Sequence, residues 1–468
     1  MKESLVTVET PYEFAGGFPT ADTITAAYDA ADYARAVTCY KHFFPAVSGM
    51  TILAGTQAVG VIPNRSFGTM DTRPGQIGFT LNSDTPYAPI LLDLTAGPLV
   101  VTVPPGPIVG AALNVDQSWI SDLGIPGSDA GHGGRHIFLG PAGHDGDLPD
   151  GSFPHTALGN RVVVGLRAIP QGGDVDAAIA LLRSVQVHPL QEDDHWTPPT
   201  WVDLTGRPQD TTPLNVQGTL EYWRILHDYI STEPIHPEDR AYLGELAVLG
   251  IRADLPFAPD ERLQGILTHA AQDADAQLRV QSLADRRPDR VVWPDRQWEW
   301  VTLRPENATF EIDGRPDVDA RETWFYQAIA SSPVMFRRQA GAGSLYWFTA
   351  RDTTGDYLDG SSSYRLRIPL PVPAGLFWSL TVYDAETRSQ ISTAQDAAAV
   401  RSLFELNGKL DGNYVDIDFG PQQPDDDATW VQTLPNRGWF VYFRIYGPTE
   451  AAFDSTWALD DITRRSDA

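Results

Sequence analysis

Residues 94–115 carry no charged side chain, and an apolar stretch of this length would span a bilayer if it were helical. Four prolines prevent that. Pro98, Pro104, Pro105 and Pro107 each remove a backbone donor and clash with the preceding helical turn. The stretch therefore reads as two strands, 99–103 and 108–115, on either side of a proline turn. Similar short apolar runs between Gly, Pro, Asn and Asp turns recur at 91–94, 135–139 and 161–166, and then at 345–349, 364–370, 376–383, 414–419 and 439–446. The 13 Trp, 16 Tyr and 19 Phe are enough to fill sizeable cores between such strands.

Helical spacing of apolar residues predicts a leading helix over 22–44, N-capped by Asp22 and stopped by Pro45. Another is predicted over 174–185, capped by Asp174. A helical block follows over 216–229, 237–249 and 259–284, with one more helix at 320–330. The fold class is α+β, mainly β. Two β-sandwich-like domains are expected, with a helical N-terminal element and a helical middle segment. The boundaries fall at 1–187, 188–340 and 341–468, and no repeat of solenoid period is present.

Lys and Arg number 34 against 61 Asp and Glu, a formal charge of −27. That sign argues against polyanionic partners, nucleic acid and anionic membrane surfaces alike, and leaves room for one small anionic substrate. Cys39 is the single cysteine, so no disulfide framework exists, and it reads as a small buried apolar residue. Residues 1–9 contain no apolar core of a signal peptide, which predicts a cytoplasmic protein.

The densest chemistry lies at 82–87. Asn82, Ser83, Asp84, Thr85 and Tyr87 crowd together just before an apolar strand. Buried there, each needs a hydrogen-bond partner or costs about 1–3 kcal/mol. One reading is an Asx-type turn in which Asn82 and Asp84 satisfy local backbone. The other makes Asp84 and Tyr87 acid–base groups. A glycine-rich loop over 126–134 carries His132, followed by Arg135 and His136. On a helix, His132 and His136 would share a face suited to zinc. The glycines and the apolar 137–139 run predict loop then strand, which leaves the two about 13 Å apart by strand rise. Asp116 and Trp119 end a strand and are candidates for the same pocket. Asp352, Asp356 and Asp359 lack the bidentate Glu of a calcium loop and read as a turn. Arg365, Arg367 and Arg388 suit either an anion clamp or a solvated strand face. There is no Gly-x-Ser-x-Gly elbow, Walker loop or dinucleotide fingerprint.

Asn82, Asp84, Thr85 and Tyr87, then Leu92-Asp93-Leu94, Gly97-Pro98 and Phe138-Leu139-Gly140-Pro141, form one pattern. Tyr357-Leu358-Asp359-Gly360, the block from Phe377 to Asp384, and Arg444-Ile445-Tyr446-Gly447-Pro448 form a second. Together they resemble a two-part bacterial family of unassigned function whose halves are called DUF1254 and DUF1214. The resemblance implies two β-sandwich-like domains with helical additions, homo-oligomeric assembly, and no established reaction. His132, Arg135 and His136 depart from the family's Thr- and Gly-rich loop, which points to specialisation there.

The expected function is a cofactor-independent enzyme, a hydrolase or lyase acting on a small organic molecule. Asp84, Tyr87 and His132 would be catalytic, and Asn82, Asp116, Trp119, Arg135 and His136 substrate-binding, with no metal ligands. A non-catalytic small-ligand-binding or assembly protein, and a divalent-metal enzyme, are the alternatives.

Overall fold

The computed structural model describes residues 12–74, 78–191, 194–207, 215–301, 309–341, 343–424 and 429–465. The start at 1–9 and parts of the 188–213 and 299–314 connections lie outside them. The chain divides into two compact units, Met1–Phe44 with Asn215–Leu278, and Pro45–Leu214 with Arg279–Ala468. The helical middle is thereby split. Residues 215–278 join the leading helix, and 279–340 belong to the β-rich unit.

In the helical unit, Leu220–Thr232 buries Tyr222, Trp223, Leu226, Tyr229 and Ile230, one face of a helix by spacing. Tyr222 stacks on Tyr40 with ring centroids 3.8 Å apart, and its hydroxyl donates to the Tyr40 carbonyl at 2.6 Å. Glu261–Leu283 buries Leu267, Ala270, Ala274 and Leu278 of its apolar stripe. Cys39 is buried, and burial followed by the nearby Glu245 pushes its thiol up to about 12, so it is inert at neutral pH.

The leading helix corrects two expectations. It starts at Ala21, and the Thr20 hydroxyl rather than Asp22 receives an N-terminal amide, that of Thr23, at 3.2 Å. It also continues through Pro45 to Ala58. An interior proline costs about 3 kcal/mol. Burial of Phe43, Phe44, Ala46, Val47 and Leu53 around it outweighs that loss.

The β-rich unit holds two sandwiches. In the first, Tyr87–Asp93, Arg161–Ala168, Ile108–Asn114 and Trp119–Gly124 form one antiparallel sheet in that order. Gln186–Pro189, Leu99–Val103, Gly134–Leu139 and Phe153–Thr156 form the other. Ile90, Val101, Ile108, Phe138 and Val164 meet between them, with Ala178 and Leu182 of the helix Val175–Arg183 closing one side. Asp174 caps that helix as expected, accepting from Ala177 N at 2.9 Å. Ser66–Thr69 and Thr200–Asp203 pair in parallel beside this sandwich.

The second sandwich packs a five-stranded sheet on a four-stranded one. The first runs Glu299–Trp300, Ser344–Thr349, Trp439–Pro448, Ala374–Asp384 and Ala399–Arg401, and the second Thr429–Gln432, Tyr414–Gly420, Tyr364–Pro369 and Thr463–Arg464. Trp347, Leu380, Val441 and Phe443 fill the space between, with Leu366 and Ile417 opposite. Trp439–Pro448 is buried at all ten positions, so both faces of the larger sheet are covered. A strand solvated on one side would alternate. Among the described residues, no helix is long and apolar enough to cross a membrane.

Candidate functional site

The second face of Trp439–Pro448 presents Tyr442, Arg444 and Tyr446, because Val441, Phe443 and Ile445 point into the core. Register sets Arg444 beside Ser379 on one side and Tyr346 on the other, and Ser379 beside Arg401. A row of polar and cationic groups thus crosses the sheet, and the 80–85 segment of the first domain lies on it. The Arg444 guanidinium donates to the Thr80 carbonyl at 2.8 Å and to Thr381 Oγ1 at 3.2 Å. Arg401 donates to the Ser83 carbonyl at 2.6 Å. Tyr383 Oη donates to the Leu81 carbonyl at 2.7 Å.

Asp84 is buried at the centre of this contact. Its Oδ2 accepts from Ser379 Oγ at 2.8 Å and Tyr446 Oη at 3.0 Å, while Oδ1 has no hydrogen-bond partner. Burial raises its pKa above the ordinary carboxylate range, against the opposing pull of Arg444, Ser379 and Arg401. Asn82 makes the Asx turn: its Oδ1 accepts from the amides of Asp84 and Thr85 at 2.9 and 3.1 Å.

A cavity of about 260 Å³ lies between this face and the outer face of the first sandwich. Its floor is two cross-strand rows. One is Pro89, Gly165, Ala111 and Asp122, and the next Tyr87, Arg167 and Val109. Gly165 and Ala111 leave the space, since a Cβ built on Gly165 would meet nothing within 4 Å. Tyr346, Tyr442 and Arg444 line the cavity from the second domain, with Trp324 of the helix Val318–Gln327 and Ile329 just after it.

Besides Arg444, two charged groups face this apolar space, Arg167 and Asp122. Arg167 stands directly across from Tyr87, its guanidinium carbon 5.8 Å from that ring's centroid. At the other end of the floor Asp122 has a buried Oδ1 without a hydrogen-bond partner. Burial pushes the Asp122 carboxyl up to about 6, with Ser332, the Trp119 indole and Arg337 pulling the other way. A carboxyl raised by folding stabilises the folded state most below the unfolded pKa, and that contribution is lost as pH rises through about 6. Asp122→Asn does not titrate, so it should gain about 1 kcal/mol on wild type between pH 5 and pH 8. Urea titrations of both proteins at the two pH values check this, and an unchanged difference would contradict it.

The expected site residues are therefore only partly gathered. Asn82 and Tyr87 line the cavity; Asp84 lies in the domain contact and does not. His132 is exposed on its loop, outside the lining, so the expected grouping of Asp84, Tyr87 and His132 does not form. The reason is topological: the loop carrying His132 crosses from one sheet of the first sandwich to the other. Arg135 is exposed and donates to the Asp150 carbonyl at 2.8 Å. His136 points inward, with Nδ1 3.0 Å from His155 Nε2 and Nε2 3.3 Å from Asp129 Oδ1. Burial lowers the pKa of both histidines, His155 to about 4. Asp116 accepts from Ser118 N and Oγ in a turn. Trp119 is exposed and lies beside Asp122.

Elsewhere Arg365 and Arg367 are paired with Asp418 and Asp416, and Asp352 accepts from Thr354 and Asp356 amides as a turn residue. Among the described residues, no group of three or more His, Cys, Asp or Glu is placed to hold a metal ion.

Residues 65–189 match the family model DUF1254 and residues 343–450 match DUF1214, each described as a protein of unknown function. The chain belongs to the two-domain family in which a DUF1254 segment precedes a DUF1214 segment. No curated protein matches it. Among solved structures it is similar to the VPA0106 protein of Vibrio parahaemolyticus, at 17% identity over 93% of this chain and 100% of that one, with a TM-score of 0.57. That likeness shows a shared fold. A second match, an uncharacterised protein from Burkholderia cenocepacia, has 12% identity, covers 95% of this chain and 98% of that one, and has a TM-score of 0.40.

Proposed function

We propose that the protein binds a small organic molecule with a largely apolar body in the cavity between its two sandwiches. The observation that carries this is the floor at Gly165 and Ala111, where missing side chains leave open space inside a wall of apolar and aromatic groups. Gly165→Leu tests it. The new side chain enters that space from an extended strand, so the fold should keep its stability. Binding of benzamide, followed by calorimetry on the full chain, should fall at least tenfold. Equal binding by wild type and variant would overturn the reading.

A second reading, acid–base turnover of the bound molecule, is favoured by Asp122. Its carboxyl faces the cavity with one oxygen unpartnered and titrates near neutral pH, as a group that gives and takes a proton needs to. In this reading Asp122 takes the part expected of Asp84 and His132. A pH profile of activity on a panel of small esters and hydroxy acids should lose its limb near pH 6 in Asp122→Asn. A profile that keeps this limb would exclude Asp122.

A further inference from the structure

We infer that the molecule bound in the cavity is a monocarboxylate, held through its carboxylate by Arg167 and Tyr87; this rests on the binding proposed above. Arg167 lines the cavity, and among the described residues no carboxylate, carbonyl or hydroxyl is hydrogen-bonded to its guanidinium. An arginine cannot shed its charge to escape burial, because its pKa lies far above neutrality. Arg167 is half-buried, and a cation set in a largely apolar wall gains from an anion that arrives to pair with it.

The protein does not supply that partner. The nearby cation is Arg444, which donates from Nη1 to Thr381 Oγ1 and from Nη2 to the Thr80 carbonyl. Asp122 stands across the floor, two strands over and two residues along, about 12 Å away by strand geometry. Tyr87 completes the arrangement. Its hydroxyl oxygen accepts the Asn82 amide at 3.2 Å, and among the described residues no acceptor takes its own proton. Arg167 and Tyr87 face each other across adjacent strands. They present a planar guanidinium fork and one O–H to the same end of the cavity, the donor set that a carboxylate uses in full. The largely apolar remainder suits an aryl or alkyl body. A phosphate would leave oxygens facing that apolar wall without donors.

The test uses the full-length protein with two isosteric pairs, benzoate with benzamide and hexanoate with hexanamide, and with phenyl phosphate. Binding is read by calorimetry on wild type, Arg167→Gln, Tyr87→Phe and Gly165→Leu. Wild type should bind each carboxylate at least tenfold tighter than its amide. Arg167→Gln should bring the ratio to about one by losing far more carboxylate than amide affinity, and a urea midpoint close to wild type shows that the variant is folded. Tyr87→Phe should weaken the carboxylates several-fold and the amides little. Carboxylates and amides binding wild type equally, with both lost in Gly165→Leu, would defeat the carboxylate inference and leave the cavity reading standing. Phenyl phosphate binding tighter than benzoate would also defeat it. No binding of any probe would defeat both.

Discussion

Replacing Arg444 with methionine should lower the unfolding free energy of the β-rich unit by roughly 3–5 kcal/mol, the cost of removing one member of a buried charge cluster. Arg444 does three things at once. It compensates Asp84, it satisfies the Thr80 carbonyl and Thr381, and it lies against the rings of Tyr346, Tyr383 and Tyr442, 5.1–5.6 Å from their centroids. Methionine fills much of the volume and supplies none of this. Asp84→Asn is the control. It keeps an oxygen for Ser379 and Tyr446 and removes the carboxylate charge that Arg444 offsets. It should cost about 1–2 kcal/mol, the range for a perturbed buried hydrogen-bond group. Urea denaturation of the three proteins gives both values. A loss in Arg444→Met no larger than in Asp84→Asn would mean that the guanidinium contributes only packing.

Trp347→Ala should cost a similar amount, roughly 3–5 kcal/mol, for a different reason. Trp347 is fully buried, with ring centroids 4.8 Å from Trp293, 5.9 Å from Trp457, 6.0 Å from Phe443 and 6.1 Å from Trp300. Truncation leaves a void that these large rings cannot close. The effect should also travel. The 80–85 segment of the first sandwich is bonded to the sheet that Trp347 supports, so amides in Tyr87–Asp93 and Arg161–Ala168 should lose protection together with those in Trp439–Pro448. Hydrogen exchange read by mass spectrometry checks this. Loss confined to 344–448 would show that the sandwiches unfold independently.

The strands were the legible part of this chain. Leu99–Val103 and Trp439–Pro448 are long apolar runs between turns, and such runs carry their own signal. Trp119–Gly124 was not legible, because Ser121 and Asp122 depress β propensity and hide a strand that pairing with Ile108–Asn114 imposes. Arg167 is a harder case. It is an outward-pointing charge in an alternating strand, the pattern of a solvated face. Only the second sheet, almost two hundred residues later in sequence, turns that face inward. The 82–87 cluster was visible as a cluster, and Asn82 does make the local Asx turn. Most of its remaining partners, Ser379, Arg401 and Tyr446 among them, come from the other domain, and nothing local announces them. Pro45 misled in the opposite sense: its local helix-stopping tendency is real, and tertiary burial overrides it.

The seating of the 80–85 segment on the second sheet bears on how these two halves can be inherited. A DUF1254 half cut free at its family boundary would expose a carboxyl, an Asx turn and several backbone carbonyls shaped for a neighbour that is no longer there. A DUF1214 half would be left with a bare row of arginines and tyrosines. Neither is a portable module, so gene fusions and recombinants that pair one half with a foreign partner should yield insoluble protein unless the matching half is carried along.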